Sequence, residues 1–133
     1  MKRLVLSLLM VFSLAACAGG TSASIEGQWE LVSYGPASSQ TPAAPDVETS
    51  IEFMSGQMSG DVGCNGFSGE YEVEGETISF GPVVSTMMFC ENVAEQESTT
   101  LAVFQENATF SLDGDRLTIT SGDGSTSIVL ERK

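Results

Sequence analysis

Eighteen acidic side chains, three cysteines and no histidine set the chemistry open to this 133-residue chain. Without histidine, Ser-His-Asp and Cys-His relays and histidine-ligated zinc are excluded. Ser68, Ser85 and Thr86 are hydroxyls with no base to activate them, since Lys133 is terminal and Lys2 belongs to a leader. Glu70, Glu72, Glu74 and Glu76 alternate around a hairpin. Residues i and i+2 of a strand share a face, so Glu70, Glu72 and Glu74 line one solvated side. Glycoside hydrolysis needs two carboxylates in environments that split their pKa values, and a solvated stripe gives both the same one. Asp113, Asp115 and Asp123 sit in glycine-containing turns without the spaced acids and closing glutamate of a calcium loop. Met54, Met58, Met87 and Met88 suit core filling better than a thioether metal site. No catalytic residue, metal site or cofactor is expected. Asn65 keeps two readings, a turn cap beside a cysteine or a ligand contact.

The cysteines divide by position. The chain opens MKRLVLSLLMVFSLAAC, with Lys2 and Arg3 ahead of a mostly apolar run, Leu4 to Ala16. That run is too short to cross a bilayer core of about 30 Å and fits a secretory leader. Leu14-Ala15-Ala16-Cys17 resembles the lipobox of bacterial lipoproteins. The resemblance implies a lipoprotein signal peptide over 1–16 and a lipidated Cys17. With Ala18 in place of aspartate, it also implies an outer-membrane destination, facing the periplasm or the surface. Several acyl chains on one cysteine suffice for stable anchoring. Residues 17–24 then form the lipidated cysteine and a flexible tether, and 25–133 one domain, long enough to bury a core. Cys64 and Cys90 remain, an even pair in an exported domain, and a disulfide is expected.

The formal net charge is −13. Loss of Lys2 and Arg3 leaves Arg116, Arg132 and Lys133 against the 18 acids, a balance of −15. That argues against nucleic acid, whose phosphates need clustered cations. It also leaves membrane attachment to the lipid anchor, because anionic headgroups repel an acidic surface.

The elements that must position these residues read mainly as strands. Gln28 to Tyr34 alternates, with Trp29, Leu31 and Ser33 on one face and Trp29 as core anchor. Gly35 to Asp46 is rich in proline and reads as a long mobile loop. Ser50–Met54 and Gln57–Val62 form a hairpin about Gly56. Gly63 to Gly69 is turn chemistry. Tyr71 and Val73 point inward ahead of a Gly75 turn into Thr77–Phe80. Val83 to Cys90 is apolar and expected to be buried. Asn92 to Asn107 is the one helix candidate, with Asn92 and Glu95 as a capping box and Ala94, Leu101 and Phe104 as a thin apolar stripe. Asp113-Gly114 and Gly122-Asp123-Gly124 turn the closing strands. The sum is an α+β domain, an antiparallel, barrel-like β-sheet of about 7–8 strands with one helix.

Gly63-Cys64-Asn65, Phe67-Ser68-Gly69 and Tyr71, followed by Thr86, Met88 and Cys90, resemble the META domain (HslJ-like) family. Gly27-x-Trp29-x-Leu31, Phe53 and Asp113-Gly114-Asp115-x-Leu117-x-Ile119 support the likeness, which spans about 25–131. Phe89 departs from the small residue usual at its position. The resemblance implies a single-domain envelope lipoprotein of antiparallel β structure with one helix. Some members are linked to heat shock or stress, and no catalytic activity is established for the class. It marks Asn65, Phe67, Gly69, Tyr71, Thr86 and Met88 as motif residues, structural or binding. The expectation is a monomeric, non-enzymatic envelope lipoprotein, held at the membrane by its anchor. It would bind an unknown envelope protein or small ligand, or support stress tolerance. The alternative is an inhibitor of a basic secreted or periplasmic hydrolase, motivated by the acidic surface.

Overall fold

A computed structural model describes residues 24–133. The expected signal peptide, the lipidation expected at Cys17 and the expected tether before Ser24 lie outside the described residues. The strands are β1 (Gly27–Pro36), β2 (Thr41–Pro42), β3 (Ser50–Met54), β4 (Gln57–Asp61), β5 (Gly66–Glu74), β6 (Thr77–Phe80), β7 (Val84–Ser85), β8 (Ala108–Asp113), β9 (Arg116–Ser121) and β10 (Thr126–Arg132). A helix, α1 (Ala94–Val103), precedes β8. Eight strands run in the order β10-β9-β8-β6-β5-β4-β3-β1, every pair antiparallel, and β10 pairs with β1 to close a barrel. The two-residue strands β2 and β7 add onto β1 and β5.

Alternation fills the barrel. An eight-stranded barrel is just wide enough for side chains to occupy its interior. Here Trp29, Ile51, Phe53, Ile78, Leu117, Ile119, Ile128 and Leu130 are fully buried there. Gly60 is required by packing. A Cβ would collide with the Ser50 carbonyl and stand 2.9 Å from the Phe67 ring. The register of β1 shifts between Leu31 and Ser33. That bulge changes the phase, so Tyr34 is buried and Ser33, expected inward, is only partly covered.

The two barrel ends differ. Tight turns at Gly56, Gly75 and Gly114 gather with Ser24 and Lys133 at one, here the terminal end. Arg132 seals it, with its guanidinium 4.2 Å above the Trp29 ring and Nη1 donating to the Glu26 carbonyl at 2.9 Å. The Trp29 indole donates to the Ile25 carbonyl at 2.8 Å. Loops and α1 cover the opposite, helix end. β6 and β8 pair only at Thr77↔Thr109 and Ile78↔Ala108, so their seam lies open toward the helix end. Phe104 stands next to this short seam, its ring 5.1 Å from Phe80 and 5.7 Å from Phe67.

Six expectations need correction. The helix is shorter than Asn92–Asn107. A 3-10 turn, Glu91–Val93, leads into it, Val93 is its N-cap, and no side chain caps it. Its buried residues are Gln96, Glu97, Thr100 and Val103, while the expected stripe members Ala94 and Leu101 are half-buried and Phe104 packs just beyond the end. Gly35–Asp46 is folded back on β1, which runs on to Pro36 and pairs with β2 within the segment. The Gln40 amide fastens it, donating to Gly35 and Pro36 carbonyls and to Ser127 Oγ, each at 3.0 Å. Phe67 to Gly69 belongs to β5, and Val73 lies outward at the end of that strand. Val83–Cys90 is not buried. Val84, Met87, Met88 and Phe89 are exposed.

Candidate functional site

The motif residues converge where the 84–90 segment crosses the helix end. Gly63, at φ +118 and with no room for a Cβ beside Val47, turns the chain out of β4. Cys64 then bonds Cys90, with their Cα atoms 5.9 Å apart. Asn65 follows and is 5 % exposed. Its Nδ2 donates to the Met88 carbonyl at 2.9 Å and to Glu97 Oε2 at 3.0 Å. Its Oδ1 accepts from Thr86 Oγ1 at 2.7 Å and from the Met88 backbone N–H at 2.8 Å. Its own backbone N–H donates to Glu97 Oε1 at 3.1 Å.

This bonding decides between the two readings of Asn65. An amide side chain has two N–H donors and two lone pairs. All four are spent within the protein, so Asn65 serves as a clasp, which favours the structural of its two readings. The amide orientation follows, since reversal would set its oxygen against the Glu97 carboxylate. Glu97 accepts two N–H groups across the clasp and ties it to α1.

The inward face of α1 is polar for the same reason. The Gln96 amide donates to the Val62 carbonyl at 2.7 Å and accepts from the Ala44 N–H at 2.8 Å. Thr100 Oγ1 donates back to the Gln96 carbonyl at 2.7 Å. Loop backbone at the helix end has no strand partner, and buried amides must be satisfied. Gln96 and Glu97 supply what the sheet cannot. No buried side-chain nitrogen or oxygen among the described residues is left without a partner.

The clasp holds an apolar rib outward. Residues 84–85 pair with β5 at Ser68 and Phe67, and the Thr86 N–H donates to the Gly66 carbonyl at 3.0 Å. The disulfide fixes the far end. Between these ties Met87 is 93 % exposed and Phe89 83 %. A groove of about 390 Å³ runs between this rib and α1, lined by Thr86, Met87, Phe89, Ala94, Ser98 and Leu101 among others. A second, of about 530 Å³, lies on the other side against Ser59, Phe67 and Val84.

The sequence motif therefore splits. Cys64, Asn65, Thr86, Met88 and Cys90 come together. Phe67 turns into the core, Gly69 packs under Pro82 and Val83, and Tyr71 closes the terminal end, its ring 5.1 Å from Phe53. Burial, then Glu26, raises the Tyr71 pKa. Sequence reading missed Glu97, Gln96 and the exposure of 84–89. The available signal was the thin apolar stripe of the helix, too narrow for a helix packed by hydrophobic contact. Glu70, Glu72 and Glu74 stand on the solvated face of β5, as their spacing implies. Asp123 serves its turn. Its Oδ1 accepts from Ser121 Oγ at 2.6 Å, Ser125 Oγ at 2.8 Å and the Ser125 N–H at 3.0 Å. These bonds, the Ser121 hydroxyl first, hold its pKa at about 2.

The fold recurs in solved structures of low sequence identity. A protein from Burkholderia xenovorans, solved by NMR, is 16 % identical, with a TM-score of 0.65 over 81 % of this chain and 82 % of its own. A second protein solved by NMR is 19 % identical, with a TM-score of 0.61 over 80 % and 88 %. A DUF4847-family protein from Bacteroides vulgatus is 14 % identical, with a TM-score of 0.59 over 81 % and 93 %. No curated protein matches the chain. A family model for the META domain matches residues 22–133.

Proposed function

The chain belongs to the META domain family, and from that premise we propose a non-enzymatic lipoprotein of the cell envelope that acts by binding through the 84–90 rib. One observation carries the reading: Met87, Met88 and Phe89 are exposed on a segment fastened at both ends. A contiguous exposed apolar patch marks an interaction surface. A pre-ordered one loses little conformational freedom on binding. The packed barrel interior favours an external contact over an enclosed ligand. Thr86 and Glu97, the hydroxyl and the carboxylate within the clasp, are engaged in holding structure, which supports binding over catalysis. The lipobox-like Leu14-Ala15-Ala16-Cys17 supplies the anchor and Ala18 the outer-membrane address. The inhibitor reading gains an exposed aromatic side chain, Phe89, on the rib.

Formaldehyde crosslinking in intact cells tests the rib. A Met87→Ser, Phe89→Ser double variant is expected to lose the partner recovered with the wild type. An unchanged partner set would overturn the reading. Labelled palmitate should enter the wild type and not Cys17→Ser.

A further inference from the structure

The charge around the rib identifies the kind of partner it fits. Strand directions place Arg116, Arg132 and Lys133, the only cations among the described residues, at the terminal end. The helix end carries Asp46, Glu48, Glu91, Glu95, Glu106 and Asp123 with no lysine or arginine. Glu91 directly follows the rib, and Glu95 adjoins Ala94, which lines the groove beneath it. Both are exposed. The rib is thus an apolar ridge whose acidic surround, Glu91 and Glu95, lies on the side of α1.

Resting on the binding role just proposed, we infer that this ridge docks into an apolar cleft rimmed by lysine or arginine on another protein. Charge separates that occupant from the two others such a surface could take. A bilayer would meet carboxylates at headgroup level, and anionic lipid repels them. A second copy related by a two-fold axis would bring the same acidic surround against itself. A cation-rimmed cleft desolvates Met87, Met88 and Phe89 while its rim meets Glu91 and Glu95. Opposite potentials also speed encounter. The groove beside the rib gives the cleft wall a place to seat against Leu101 and Ala94.

The test uses the full lipidated protein in its own cells with a photo-crosslinking benzophenylalanine at position 87. The expected product is a conjugate with another protein, its attachment site mapped by mass spectrometry beside lysine or arginine. Glu91→Lys with Glu95→Lys should cut its yield about tenfold. Glu72→Lys with Glu74→Lys, at the terminal end, should leave it within twofold. Thermal unfolding of each variant confirms that it folds. A protein conjugate indifferent to Glu91 and Glu95 overturns the cationic partner and leaves the binding role standing. A lipid conjugate or a homodimer overturns the partner class. No conjugate at position 87 overturns both.

Discussion

Asn65 and Phe89 stand one clasp apart and do opposite work. Replacing Asn65 by alanine removes the bonds of its amide side chain, so the Met88 N–H loses its acceptor and Glu97 keeps only the backbone N–H of residue 65. Buried polar groups left unpaired cost about 1–3 kcal/mol each, so Asn65→Ala should lose about 3 kcal/mol in urea denaturation. Phe89→Ser, on an exposed side chain, should stay within about 0.5 kcal/mol of wild type. Equal destabilisation by the two changes would refute the division between clasp and surface. Asp123 adds a pH dependence. Its folded pKa, about 2, lies below the 3.8 of an ordinary aspartate. The stabilisation is therefore complete well above pH 4 and disappears as pH falls through about 2. NMR should place its carboxyl titration near 2, and Asp123→Asn should remove that acid-dependent change from the Ser125 amide. At this scale the sequence was legible where residue type alone decides. Trp29, Phe53 and Ile119 are large and apolar and lie in the core. Whether Asn65 capped a turn or met a ligand depended on Thr86, Met88 and Glu97, all distant in the chain.

The elements tell a similar story. Strands with clear alternation, such as β3, β9 and β10, lie where their pattern puts them. The failures cluster between β6 and β8. Val83–Cys90 was read as buried because apolar content was its only signal, and no periodicity showed that polar ties hold it from below. The helix was read through its apolar stripe, yet the side chains it buries are chiefly the ones that bond to loops. Both errors have one physical source, because long-range hydrogen bonding leaves no local period. The disulfide was legible from the even pair of cysteines in a domain expected to be exported. In the chain-entropy account, closing its loop of about 27 residues contributes about 3–4 kcal/mol. Reduction, or Cys64→Ala with Cys90→Ala, should lower stability by that order while far-UV circular dichroism keeps the barrel signal. Proteolysis should then cut first within 86–90. Cleavage elsewhere first would show that the disulfide is not what secures the rib.

For the whole molecule, the closed eight-stranded barrel was legible as a class, since short strands with frequent turns point to one. Its two unlike ends were not, because they depend on which loops fall together. They set an orientation. The chain enters the barrel at the end opposite the rib. Residues 18–24 reach at most about 25 Å when extended, so the proposed anchor at Cys17 would keep the terminal end near the bilayer and turn the rib away from it. A paramagnetic ion tethered to lipid headgroups should broaden the amide signals of Gly56, Gly75 and Gly114 and spare Phe89. The reverse pattern would show the rib facing the membrane.

Closure of the barrel by β1 and β10 has a kinetic meaning. Every other barrel contact joins strands that are consecutive around the sheet, so a meander can form progressively from the start of the chain. The β1–β10 seam joins the first strand to the last, from Trp29↔Arg132 to Pro36↔Thr126. Until β10 is available, β1 presents a bare hydrogen-bonding edge, the feature that invites mispairing between chains. Folding thus ends in one ring closure with a high sequence separation, a slow kind of step. Shortening the chain at its C-terminal strand would leave an open, adhesive sheet where a barrel should be.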